Sequence, residues 1–86
     1  MIVHIPSPLR SYTGEVSRVE ATGETIDDLL LDLDRSYPGI RFRVIDEHGR
    51  LREHIKLFLG EQPISDLATR AAGASVLHVI AALSGG

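Results

Sequence analysis

Cysteine is absent from these 86 residues, which removes disulfides, thiolate zinc sites, iron–sulfur clusters and thiol nucleophiles together. Tryptophan is absent too, and two tyrosines and two phenylalanines are the whole aromatic complement. Lysine occurs once, at Lys56, beside eight arginines and twelve acids, for a formal net charge of −3. A phosphate-backbone binder usually carries a net basic face, so nucleic acid is not an expected partner, although Arg41, Arg43, Arg50 and Arg52 lie close together in the chain. The longest mostly apolar stretch, residues 76–83, is far short of the roughly 20 residues that span a bilayer. The opening Met1-Ile2-Val3-His4-Ile5-Pro6 has no basic segment ahead of an apolar core, so no signal peptide is read. A cytoplasmic protein with no membrane partner is expected. What is present is 43% hydrophobic and 24% charged, a balance of globular rather than disordered chains. The length admits one domain with one thin core and leaves little room for a deep enzyme pocket between two lobes.

The run Ile2-Val3-His4-Ile5, closed by Pro6-Ser7-Pro8, reads as a strand entering a turn. Residues 15–21, between Gly14 and Gly23, read as its hairpin partner across a short link at 9–13, with a bulge because Val16 and Val19 fall on opposite faces. A helix follows. Thr25 is a good N-cap with Asp28 three residues on, and Ile26, Leu29, Leu30 and Leu33 form one apolar stripe. Asp27, Asp28, Asp32 and Asp34 take the wet side, and Pro38-Gly39 stops the helix. Residues 40–46 fit either a strand, with Ile40, Phe42 and Val44 alternating, or a short helix with Phe42 and Ile45 on one face. A polar turn at Glu47-His48-Gly49-Arg50 precedes a strand at 53–59 with Ile55, Leu57 and Leu59 on one face. Residues 64–72 are too mixed for more than one helical turn. Residues 75–82 form a strand that is apolar on both faces and therefore central in its sheet. The order is that of an α+β β-grasp (ubiquitin-like) fold: a mixed sheet of four to five strands, the terminal two parallel, with one main helix across it.

The chain ends Leu83-Ser84-Gly85-Gly86, directly after a strand. The expected division is a domain over 1–82 and a flexible tail over 83–86. Two glycines lie flat in a slot too narrow for any side chain, and four extended residues project the terminal carboxylate roughly 13 Å. A carboxylate is a poor electrophile, so its chemistry begins with activation by ATP to an acyl-adenylate. The alternative is a frayed terminus without function.

The chain resembles the ubiquitin-like sulfur-carrier proteins (MoaD/ThiS-like). The resemblance is carried by Ile5-Pro6-Ser7-Pro8-Leu9-Arg10-Ser11-Tyr12-Thr13-Gly14, by Tyr37-Pro38-Gly39, by Asp46-Glu47-His48-Gly49-Arg50-Leu51-Arg52 and by the terminal Ala82-Leu83-Ser84-Gly85-Gly86. Its longer loops are closer to the branch that feeds amino-acid biosynthesis than to the short thiamine carrier. It departs from the family at Gly73-Ala74-Ser75, where members usually place an acidic turn. The resemblance implies a protein cosubstrate rather than an enzyme. Gly86 would be adenylated by a ubiquitin-activating-type enzyme, which uses the ATP, and converted to a thiocarboxylate. A second, biosynthetic enzyme would accept the sulfur for cysteine or a related amino acid, or for molybdopterin or thiamine. The carrier itself binds no cofactor. The rival readings are a protein modifier conjugated through the same terminus and a β-grasp interaction module with an inert tail.

Partner contacts are assigned to Gly85, Ser84, Leu83, Phe58 and Arg10. Phe58 points opposite to Ile55, Leu57 and Leu59, hence away from the helix, as an anchor on the outer sheet face or a residue under a loop. Arg10, Arg50 and Arg52 are either solvated or aimed at an acidic partner. His4 and His78 fall on neighbouring strands, but a metal site needs three or four ligands, so no metal is assigned. His48 and His54 read as solvated, and Ser7, Ser11 and Ser84 have no His-Asp partners for a hydrolase triad.

Overall fold

The computed structural model describes residues 1–71 and 73–81. Strands β1 (Ile2–His4), β2 (Arg18–Glu20), β3 (Ile55–Leu59), β4 (Gln62–Ile64) and β5 (Val76–Ala81) form one sheet in the order β2-β1-β5-β3-β4. Helices α1 (Ile26–Ser36) and α2 (Ile40–Val44) lie between β2 and β3 in the chain. The terminal strands β1 and β5 pair in parallel, with Val3 opposite Leu77, and every other pairing is antiparallel. This is the β-grasp arrangement, with β5 at its centre.

The core follows from strand parity. Val3, Val19, Leu57, Leu77 and Val79 are buried on one face of the sheet, in one cluster with Ile26, Leu29, Leu30 and Leu33 of α1. Alternate residues therefore emerge on the opposite, outer face. Thr25 caps α1 as expected, its hydroxyl accepting from the Asp28 amide at 3.1 Å. The two preceding helical amides are satisfied from far away. Ile26 N–H donates to the Thr69 carbonyl and Asp27 N–H to the Leu67 carbonyl, both at 3.0 Å. Residues 65–71 thus serve as the cap for the free donors of α1, which is why this tract shows no periodicity of its own. Gly23 lies against the same turn. A Cβ there would stand 2.6 Å from the Leu29 nitrogen, so the close approach of chain and helix requires glycine.

Several expectations change. The link after β1 is a 3-10 helix over Ser7–Thr13, longer than the short link at 9–13. No bulge is needed in the first hairpin: β2 begins at Arg18, and Val16 lies exposed ahead of it. Residues 40–44 are helical, not extended. Phe42 is 53% exposed while Ile45 is buried, so these two do not share a face. The choice is made by Ile40 and Val44, one helical turn apart, which both enter the core. A fifth strand, β4, pairs with β3 through a turn at Gly60-Glu61. Pro63 hides it from a sequence reading, since proline within a strand is confined to edges, and β4 is an edge. Gly49 has φ +76° in the polar turn, a left-handed conformation that favours glycine.

The acids of α1 are more than a solvated face. Asp27 pairs with Arg41 at 2.7 Å. Asp32 accepts from the Thr22 amide at 2.9 Å. Asp34 accepts from the Gly39 and Arg41 amides, fixing the break between α1 and α2.

Candidate functional site

The sheet order aligns five residues in one row across the outer face: Arg18, His4, His78, Phe58 and Pro63, taken from β2 to β4. Phe58 is half-buried and is the fourth of the five residues of β3, facing away from α1, as its parity predicts. Ile80, 47% exposed, and Lys56 are opposite one another in the next row. Toward the other end of the strands lie Ile2 and Val76, cross-strand neighbours on the same face. The result is an apolar centre with cationic groups at its margin.

The two histidines meet edge to face, their ring centroids 4.6 Å apart. His4 Nε2 is enclosed and has no hydrogen-bond partner among the described residues. Burial of the ring, with His78 and Arg18 beside it, holds the His4 imidazole below its ordinary value. Charge on the His4 ring is thereby disfavoured within this face. No group of three or more candidate metal ligands occurs among the described residues.

β5 ends at Ala81, which sits between two shallow clefts. One, of about 280 Å³, is lined by His4, Pro8, Arg10, His78 and Ile80. The other, of about 370 Å³, is lined by Pro8, Arg43, Asp46, Arg52 and His54. Arg10 is held in place by its Nε donating to the Ile5 carbonyl at 3.0 Å, beside the end of β5. Arg52 is engaged within the fold: its Nε donates to the Phe42 carbonyl at 2.7 Å, and its guanidinium stacks 4.6 Å over the Phe42 ring. Arg50, His48 and His54 are exposed. The Arg50 and His48 amides both donate to Asp46, which holds that carboxyl below its ordinary value. Leu83, Ser84, Gly85 and Gly86 lie outside the described residues.

Of the residues singled out from the sequence, the fold brings His4, His78 and Phe58 into one row, with Arg10 at its edge near Ala81. The sequence reading did not place Lys56, Ile80 or Arg18 on this face. Strand parity carried that signal, since Lys56 is two residues from Phe58 and Ile80 two from His78.

Fold and site together define a ubiquitin-like β-grasp domain whose exposed sheet face adjoins the strand that leads to the C-terminus. No protein-family model matches the chain. The sulfur carrier protein CysO of Mycobacterium tuberculosis is 30% identical over 89 residues, covering 98% of this chain and 96% of that protein. The crystal structure of M. tuberculosis CysO superposes with a TM-score of 0.88 at 29% identity, covering 95% of this chain and 98% of the other. A chain of the Amycolatopsis orientalis BexX/CysO complex gives 0.88 at 28% identity, covering 99% and 98%. SAMP1 of Haloferax volcanii gives 0.77 at 26% identity, covering 100% and 98%. The chain belongs to the CysO family of ubiquitin-like sulfur-carrier proteins. Among the described residues no helix is long and apolar enough to cross a membrane.

Proposed function

We propose that this protein is a cytoplasmic cosubstrate, not a catalyst, which carries sulfur to a biosynthetic enzyme that makes cysteine or a related amino acid. The observation that carries this reading is the 30% identity to CysO across nearly the whole of both chains. The diglycine end of the sequence supplies the chemistry. The Gly86 carboxylate attacks the α-phosphate of ATP on a ubiquitin-activating-type enzyme, and pyrophosphate leaves. Hydrosulfide released by the sulfur donor then attacks the acyl carbon, the C–S bond forms, the C–O bond to AMP breaks with AMP taking the electron pair, and loss of the thiol proton to solvent leaves the thiocarboxylate. Glycine at Gly85 and Gly86 lets the backbone enter a narrow channel, while the body docks outside through the outer sheet face. Phe58 supplies the aromatic anchor there, and Arg10 meets the partner near the root of the tail. That one relative forms a BexX/CysO complex supports docking to an acceptor enzyme as well as to the activating one.

The test is intact-mass measurement after incubation with the activating enzyme, ATP and a sulfur donor. One oxygen of the terminal carboxylate is expected to be exchanged for sulfur, and Gly85→Val is expected to abolish the exchange while leaving the denaturation midpoint unchanged. An unchanged mass with an enzyme that demonstrably charges its own carrier overturns the reading. The likeness to SAMP1 keeps the modifier reading as the second one, and Gly86 found in isopeptide linkage to lysines of other proteins would favour it.

A further inference from the structure

The sheet has two edges, and the chain treats them differently. At the β4 edge Pro63, the middle of three residues, has no N–H to offer. The β2 edge carries no such block. The ladder of β2 to β1 is fixed by Ile5 N–H donating to the Ser17 carbonyl at 2.8 Å and Ala21 N–H to the Met1 carbonyl at 3.0 Å. Residues 17, 19 and 21 therefore turn their backbone groups toward β1, and residues 16, 18, 20 and 22 turn theirs to the open edge. The chain itself takes up both ends of that edge. Val16 N–H donates to the Thr13 carbonyl, the Val16 carbonyl accepts from the Thr13 hydroxyl, and Thr22 N–H donates to Asp32. Between them stand the N–H and C=O of Arg18 and of Glu20, which have no partner among the described residues.

We propose that this edge docks a second copy of the chain, β2 against β2, antiparallel and centred on Val19. Along an antiparallel pair, positions that exchange two hydrogen bonds alternate with positions that exchange none. With Val19 opposite Val19 of the second copy, Arg18 is opposite Glu20 of the second copy, and Glu20 is opposite its Arg18. Those are the positions whose backbone groups are open, so every one of them is satisfied in this register. The side chains agree with the backbone. Val19 is buried toward the core while Arg18 and Glu20 are exposed on the outer face, and each pairing sets a cation opposite an anion. Centring the pair on Arg18 or on Glu20 instead sets like charges opposite one another, which is unfavourable. Glu20 accepts from the Met1 amine with one carboxylate oxygen at 3.3 Å, and its side chain is 73% exposed, with room for a second cation.

The two-fold axis runs perpendicular to the sheet, so two five-stranded sheets join into one with both outer faces on the same side. Phe58 and Ile80 of each copy stay uncovered, because β1 and β2 stand between them and the seam. The pairing goes beyond the sulfur-carrier reading and needs no activating enzyme.

The test is sedimentation equilibrium of the full chain over a concentration series, with no other protein present. The wild type is expected to associate into a dimer that added salt weakens. Arg18→Glu and Glu20→Arg each set like charges opposite one another twice, and each is expected to raise the dissociation constant about tenfold or more. Mixed in equal amounts, the two variants are expected to pair with each other, because opposite charges then meet at both positions. Their denaturation midpoints are expected to match the wild type, since both residues are exposed. The proposal is overturned if the wild type stays monomeric throughout, if either variant alone associates as the wild type does, or if the mixture stays monomeric. Association lost in Phe58→Ala but kept in Arg18→Glu places the contact on the outer face and overturns it equally.

Discussion

The two faces of β5 are made from one six-residue run, yet they do opposite work. Leu77 and Val79 face α1 and are sealed, at 0% and 3% exposure. Val76, His78 and Ile80 face outward and remain at least partly open. Inward, the residues are aliphatic and interchangeable in kind, because the demand is volume and the absence of polar atoms. Outward, the row Arg18, His4, His78, Phe58 is chemically mixed, because a face left in contact with water tolerates arginine, histidine and one aromatic better than a leucine patch. The inner face makes the fold stable. The outer face, on the function proposed above, is what a partner meets.

The difference is broken most forcibly by truncating the inner face. Leu77→Ala is expected to cost about 2–5 kcal/mol in urea denaturation, against less than about 1 kcal/mol for His78→Ala one position along. Equal losses would mean that the two faces are not energetically distinct. Phe58→Ala sharpens the contrast from the other side. It is expected to weaken binding to the activating enzyme at least tenfold, about 1.4 kcal/mol, as read by calorimetry, while costing less stability than Leu77→Ala. Unchanged affinity would remove Phe58 from the docking face. The smallest effect concerns pH. The unfolded chain binds a proton at His4 more readily than the folded one, whose imidazole is held low by burial, His78 and Arg18. The resulting stability is fully present above about pH 6.5 and is lost as the pH falls from there through the folded value. Denaturation midpoints across that window are expected to fall less steeply in His4→Gln than in the wild type. Parallel slopes would show that His4 titrates alike in both states.

Much of the fold was legible because its signals are local. Thr25, Asp28 and the stripe Ile26, Leu29, Leu30 and Leu33 state a capped helix within ten residues, and the structure has it. The double-sided apolar run at 75–82 announced a central strand, and β5 is central. Phe58 on the outer face followed from parity alone. The signals that failed were those that a local feature masks or whose partners are distant. β4 is three residues long and its Pro63 hides a hairpin whose partner β3 is only a two-residue turn away. Residues 65–71 take their form from the amides of α1 some forty positions earlier.

The sequence by itself determined the main helix, the parity of the strands and the diglycine end, because propensity, capping and alternation act over a few residues and are written consecutively. Only the tertiary structure decided that His4, His78 and Phe58 form one row, that residues 65–71 cap α1, and that the lone lysine stands beside the end of β5. Those facts depend on strand order and register, which are set by how distant segments jointly bury one core, and no short window of the chain contains both sides of such a contact.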